Sequence, residues 1–257
     1  MIQRSDFGGF GDVALAFNDG QNIGPYHSSW IFDWLKKLVG PAYGAHVLDL
    51  GCGTGTITRY LAEAGFQSVV GVDPDPRMIA VAKRVSLYPL CVCAPTNALP
   101  FPDAGLDAVF VHYAFEHFCH DAASIMEVRR VLRDGGILMT VTWPVTGWNK
   151  TRNEVIQPFA LDDRTPPPYQ HLAETGYADL LGDYGFKKVE TRRQKTTIYY
   201  TMDQARRYML GSSLLSCVPP ERFLEAYRAL DKLSAQIADA RGIVTRELDV
   251  IVDIGRR

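Results

Sequence analysis

The chain has 257 residues, 47% of them apolar and 22% charged, with a formal net charge of −2. That length suffices for one full α/β domain with a sizeable core and a smaller embellishment. The charge balance gives neither the basic footprint of a nucleic-acid binder nor a polybasic membrane patch, and no apolar run is long enough to span a bilayer.

The start, Met1-Ile2-Gln3-Arg4-Ser5, lacks the basic-then-apolar order of a signal peptide, so a cytoplasmic protein is expected. The five cysteines, Cys52, Cys91, Cys93, Cys119 and Cys217, have no framework spacing and read as reduced thiols. Cys91 and Cys93 alternate on a strand-like run, but no further ligands complete a metal pattern, and none is expected. Residues 1–44 form a leader. Within it the spacing predicts a helix over 28–39, where Ile31, Trp34, Leu35 and Leu38 share one face, capped by Ser28 or Ser29.

The most informative stretch follows. A predicted strand over 46–50 ends in Val47-Leu48-Asp49-Leu50 and runs into Gly51-Cys52-Gly53-Thr54-Gly55-Thr56. A helix is expected over 56–64, ended by Gly65. A second strand, Val69-Val70-Gly71-Val72, delivers Asp73. A strand, a glycine turn, a helix and an acid after the next strand make a nucleoside-binding half-site, with Asp73 placed to accept from ribose hydroxyls. The dinucleotide fingerprint G-x-G-x-x-G would need its third glycine at Thr56, whereas the chain has it at Gly55.

Alternation then continues. Helices are expected over 76–85 and 122–132, the second capped by His120 and stopping at Asp134-Gly135-Gly136. Strands are expected over 90–94, 108–112 and 137–143. Strands separated by helices of this length imply a parallel sheet. Residues 144–170, with Pro144, Gly147, Trp148 and Pro166-Pro167-Pro168, read as an irregular insertion acting as a lid. Beyond it come a helix over 171–184, strands over 187–193 and 196–201, helices over 203–210 and 221–240, and a last strand over 245–254.

The glycine pattern Leu48-Asp49-Leu50-Gly51-Cys52-Gly53-Thr54-Gly55 resembles the G-x-G-x-G of class I S-adenosylmethionine-dependent methyltransferases. So do Asn97-Ala98-Leu99-Pro100-Phe101, Glu116-His117-Phe118 and the block Glu127-Val128-Arg129-Arg130-Val131-Leu132-Arg133-Asp134-Gly135-Gly136. These cover roughly residues 45–143 and look most similar to the small-molecule branch with ubiquinone-pathway and trans-aconitate methyltransferases. Relatives carry an acid at the end of strand three, where this chain has Pro95. Asn22-Ile23-Gly24-Pro25-Tyr26 stands where many have Arg-Pro before a tyrosine, and Asp134 stands for the usual proline.

The resemblance implies an α/β Rossmann-like fold. Its seven-stranded, mostly parallel sheet has helices on both faces and a small cap from the leader and the insertion after strand five. It implies a single methyltransferase domain over 1–257: leader and cap 1–44, cofactor-binding core 45–143, substrate-facing insertion and helices 144–240, final strand 241–257. It implies S-adenosyl-L-methionine as cofactor, with S-adenosyl-L-homocysteine as product. The cofactor would lie against Asp49, Gly51, Cys52, Gly53, Gly55, Asp73, Pro74, Asn97, Ala98, Leu99 and His112. Glu116 and His117 follow strand four at the carboxyl edge of the sheet, where open α/β sheets bind ligands. His117 is a candidate general base, because histidine serves that role at neutral pH, and a structural role packing or capping the next helix is its competing reading. Phe17, Tyr26, Trp30, Trp143 and Trp148 are candidate substrate contacts. Lys150, Arg152 and Arg164 are candidates to recognise an acidic substrate, with solvated surface charge as the stronger reading of each.

Methyl transfer to an oxygen, nitrogen or carbon nucleophile of a small molecule is therefore expected, in specialised or cofactor metabolism, mainly by alignment and exclusion of water. The expected partners are that acceptor alone, with no nucleic acid and no membrane, in a monomer or homodimer. A protein acceptor and a non-catalytic cofactor-binding scaffold are the rival readings. A nicotinamide oxidoreductase is disfavoured by Thr56.

Overall fold

A computed structural model describes residues 29–85, 90–144, 147–159, 175–210 and 218–257. The chain divides into two compact units interleaved in sequence. A core unit holds residues 28–144, 169–194 and 250–257; a second unit holds 1–27, 145–168 and 195–249.

Five strands belong to the core unit: β1 (His46–Leu50), β2 (Ser68–Asp73), β3 (Leu90–Cys93), β4 (Leu106–His112) and β5 (Leu132–Thr142). With β6 (Lys187–Thr201) and β7 (Ile243–Arg256) they form one seven-stranded sheet in the order β3-β2-β1-β4-β5-β7-β6. β1 pairs in parallel with β2 and with β4, β2 with β3, and β4 with β5, whereas β7 pairs antiparallel with β5. The strand order reverses between β1 and β4, which makes the carboxyl ends of those two strands the place where such sheets open for a ligand.

Strict alternation explains the two cores. Leu48, Val109, Val111 and Leu138 point into one apolar cluster; Val47, Ala108, Phe110 and Met139 point into the other. Helix α1 (Ser29–Val39) packs Ile31, Phe32 and Leu35 into the second cluster, and α2 (Thr56–Glu63) adds Leu61. Helix α3 (Pro76–Val85) starts on a proline, as first turns tolerate, and buries Ile79 and Ala82 against Cys52 and Cys91. Helix α4 (Ala122–Val131) covers the first cluster with Ile125 and Val128. The cap of α4 is Asp121, not His120: its carboxylate accepts from the backbone amides of Ala123 (3.1 Å) and Ser124 (3.3 Å). A carboxylate two and three residues before those amides can reach both; an imidazole one residue earlier cannot replace it.

Other boundaries shift for identifiable reasons. β5 begins at Leu132 rather than 137, because Leu132 pairs with Leu106 and the Gly135–Gly136 backbone bonds with Arg257. The helix expected over 171–184 is described only as α6 (Ala178–Asp183). Gly176 stands at φ +91° over the Asp253 carboxylate, and Tyr177 N donates to that carboxylate at 2.6 Å, so the backbone cannot run helically through them. Residues 171–174 lie outside the described residues.

In the second unit the insertion is not irregular throughout: residues Gly147–Ile156 form helix α5, which carries a Lys150–Glu154 pair one turn apart and buries Ile156. The two strands expected over 187–201 are one, β6, with no break at 194–195. Helix α7 (Met202–Leu210) starts on a reciprocal cap, with Thr201 N donating to Gln204 Oε1 (2.9 Å) and Gln204 N to Thr201 Oγ1 (3.2 Å). It packs Met209 against Ala226 and Leu230 of α8 (Phe223–Ile237). No helix among the described residues is long and apolar enough to cross a membrane.

Candidate cofactor site

The glycine turn is pinned to the sheet from below. Gly51 N and Cys52 N both donate to the carbonyl of Val72, at 2.8 and 3.0 Å. Gly51 adopts φ +76° and approaches the loop after β4 so closely that a β-carbon there would stand 2.4 Å from Ala114 Cβ. Only glycine has both the left-handed freedom and the missing atom. Gly55, at φ +78°, caps α2, and its amide closes the turn onto Cys52 O at 2.9 Å. The hydroxyls of Thr54 and Thr56 are sealed from solvent and have no hydrogen-bond partner among the described residues.

Two acids flank this turn. Asp73, at the end of β2, accepts from Gly53 N on Oδ2 and from Asp75 N on Oδ1, both at 2.9 Å. Burial raises its carboxyl, opposed by those two amides and by the charge of His117. Its second lone pairs remain available to further donors. Asp49, within β1, is 1% exposed and accepts from Thr58 Oγ1 at 2.6 Å. Burial, with a smaller contribution from the Asp73 charge, pushes it up to about 7 against the Thr58 hydrogen bond.

The remaining residues singled out by sequence fall into distinct places. Pro74 follows Asp73, and its carbonyl faces the Cys93 thiol at 3.5 Å. Asn97 and Ala98 are exposed on the turn after β3, where Pro95 O accepts from Ala98 N. Leu99 turns into the core, and its amide donates to Glu127 Oε1 at 2.8 Å. Arg130 spans Glu127 and Asp103 and reaches Leu99 O, so the Glu127–Arg130 pair of α4 fastens that turn. His112, Tyr113 and Trp143 form a half-buried aromatic wall after β4 and β5, with ring centroids 4.0 Å (His112–Tyr113) and 3.7 Å (Tyr113–Trp143) apart. Tyr113, missed by sequence reading, sits at φ +55°, a strained backbone for a bulky residue. Glu116 Oε2 is sealed and has no hydrogen-bond partner among the described residues, while His117 is exposed. Trp30 stacks on Trp34 in α1 at 6.4 Å. Phe17, Tyr26 and the side chain of Trp148 lie outside the described residues.

A methyltransferase-domain family matches residues 48–140, the stretch that builds this site. A demethylmenaquinone methyltransferase of Beutenbergia cavernae is 30% identical over 206 residues, which span 72% of this chain and 84% of that protein. This chain belongs to the class I S-adenosylmethionine-dependent methyltransferases. An uncharacterized methyltransferase of Mycobacterium tuberculosis is 36% identical over 151 residues, 57% of this chain; the match spans only 58% of that relative's length. In fold the methyltransferase is similar to a putative methyltransferase from an antibiotic biosynthesis pathway of Anabaena variabilis. The TM-score is 0.58 and the identity 18%, over 86% of this chain and 95% of that one.

The residues present fit the cofactor of this family. The turn offers bare main chain at Gly51 and Gly53, two orphaned hydroxyls at Thr54 and Thr56, and an acid with spare lone pairs at Asp73. A buried polar atom without a partner is rare in native proteins and marks a place where a ligand completes the hydrogen bonding. Pro95, at the end of the strand that faces this site, offers only a carbonyl, and that carbonyl already accepts from Ala98 N.

Proposed function

We propose that this chain transfers the methyl group of S-adenosylmethionine to an oxygen, nitrogen or carbon nucleophile of a small molecule in specialised or cofactor metabolism. The observation that carries the reading is the glycine turn held by Asp73, with two sealed hydroxyls left to a ligand. When bound, S-adenosylmethionine supplies a methyl activated by a sulfonium. Asp73 would hold the ribose, Gly51 and Gly53 the methionine portion, and the turn at Asn97 and Ala98 the adenine. His117 would accept a proton where the acceptor is a hydroxyl or a carbon acid. The aromatic wall His112–Tyr113–Trp143 suits a planar acceptor ring, in keeping with relatives named demethylmenaquinone methyltransferases. The four described cysteines are unbridged thiols, which supports a reducing compartment.

Calorimetry tests the reading. S-adenosylmethionine and S-adenosylhomocysteine should both bind, and NADH should not. Asp73→Ala should weaken both sulfur ligands by about 1–3 kcal/mol through loss of charged hydrogen bonds. A folded variant with unchanged affinity removes the ribose assignment. Binding with no methyl transfer to any small molecule or protein acceptor would leave a cofactor-binding scaffold instead.

A further inference from the structure

The second unit gathers four polar side chains from four different elements. Arg152 lies on α5, Tyr200 on β6, Tyr208 on α7 and Arg246 on β7. Arg246 is only 2% exposed, a rare situation for a charged side chain. Its Nη1 donates to Tyr200 Oη at 3.3 Å, and its guanidinium lies over the Tyr208 ring, 4.4 Å from the centroid. Arg152 donates from Nη1 to Tyr208 Oη at 3.1 Å. The tyrosine rings lie 5.8 Å apart. Two guanidiniums thus share one aromatic box.

The decisive detail is how Arg152 uses its donors. Nη1 is committed to Tyr208, and that is its one hydrogen bond among the described residues. Its Nε is sealed from solvent and has no hydrogen-bond partner among the described residues. Nε and Nη2 are the two parallel donors through which a guanidinium grips a planar two-oxygen anion side-on. No carboxylate of a described residue pairs with this fork. A guanidinium placed so, beside a second one, is costly without an anion.

We propose that Arg152, Tyr208, Arg246 and Tyr200 form a recognition site for the carboxylate group of a small-molecule ligand, gripped by the Nε and Nη2 of Arg152. Tyr208 fixes the plane of that fork, and Arg246, held by Tyr200 and stacked on Tyr208, adds positive potential behind it. The state of Tyr208 supports the charge balance. Burial alone would push its phenol up; the positive charges of Arg246 and Arg152 overcome this and bring it down to about 8. At pH 7 the phenol is still mainly protonated, so it does not neutralise the pair. A carboxylate is favoured by the geometry, two oxygens in a plane against two donors in a plane. The site stands independently of methyl transfer, because its readouts are binding alone.

The test is an ultraviolet titration of tyrosine ionisation in the full chain, with acetate, succinate and benzoate as probes and phosphate and chloride as controls at equal ionic strength. Bound negative charge disfavours the phenolate, so a carboxylate should raise the midpoint of the tyrosine that titrates near 8. Tyr208→Phe should remove that phase. Arg152→Lys keeps the charge but not the fork, and should weaken the carboxylate on the order of 10-fold or more. The proposal is overturned if none of the three carboxylates moves the midpoint, if phosphate moves it and they do not, or if Arg152→Lys binds as the parent does. A phase near 8 that survives Tyr208→Phe overturns it too. Should Arg152→Lys fail to fold, the carboxylate titration of the parent chain decides alone.

Discussion

Replacing Gly51 by alanine is expected to abolish cofactor binding and to destabilise the fold by about 2–5 kcal/mol. Two independent penalties act at this position. The backbone stands at φ +76°, where an added Cβ meets its own carbonyl, at a cost of about 1–2 kcal/mol. The same Cβ would stand 2.4 Å from Ala114 Cβ. Neither atom belongs to a flexible side chain that could swing aside, so one backbone must move. The Ala114 side has little slack, since its neighbour Tyr113 is already at φ +55° and packed against His112 and Trp143. Movement on the Gly51 side breaks the paired hydrogen bonds from Gly51 and Cys52 to Val72 O and tilts Gly53 away from Asp73. Denaturant unfolding and calorimetry with S-adenosylhomocysteine read both effects. Gly44→Ala is the control, because a Cβ there meets nothing within 4 Å. If Gly51→Ala unfolds and binds like Gly44→Ala, the close approach of the turn to the β4 loop is wrong.

The contrast between these two glycines shows what sequence can carry. The spacing of Gly51, Gly53 and Gly55 after an apolar run was enough to place a tight turn at a strand end. The alternation in β1 and β4 was enough to give a sheet buried on both faces. Both signals are local: they depend on backbone freedom and a two-residue period. What sequence did not show depends on neighbours distant in the chain. Arg152 read as a surface charge, because nothing local reveals that Tyr208 and Arg246 lie beside it. The joining of β6 into one strand and the break at Gly176, beneath Asp253, have the same origin. The exchange of His120 for Asp121 as cap is different, a local choice between adjacent residues decided by reach. Glu127 and Arg130 were legible as a motif but not as the clasp on Leu99, since 28 residues separate Leu99 from Glu127. Tyr113 was not legible, because an ordinary tyrosine gives no local sign of a left-handed backbone.

Asp49→Asn should give the second large effect, with stability and cofactor affinity moving in opposite directions. Asp49 is buried in β1, and its carboxyl is pushed up from 3.8 to about 7. Below pH 4 the folded and unfolded chains both hold this proton, and the group contributes nothing to pH dependence. Between pH 4 and 7 the unfolded chain has released it while the folded chain has not, so stability falls as pH rises. The gap of about 3 pH units, at roughly 1.4 kcal/mol each, amounts to ~4 kcal/mol lost by pH 8. Asparagine still accepts from Thr58 and never ionises, but it brings an amide that needs partners, at a cost of roughly 1–3 kcal/mol. The variant should therefore equal or fall below the parent near pH 4 and overtake it by pH 8. Chemical denaturation at the two pH values reads the crossing; parallel profiles would mean that Asp49 is ionised in the folded chain at all pH values tested. Binding should show the opposite sign. A carboxyl poised near 7 gains from a cation brought beside it, so S-adenosylmethionine should bind more tightly as pH rises through 7 and release a proton as it does. Asparagine removes that gain, and it should cost S-adenosylmethionine more than S-adenosylhomocysteine, which lacks the sulfonium charge. Equal losses for the two ligands would assign Asp49 to holding α2 through Thr58 and not to the cofactor's charge. Greater loss for S-adenosylmethionine would explain a costly buried acid in the first strand by what it does for the bound state, since its ionisation in the free protein weakens the fold.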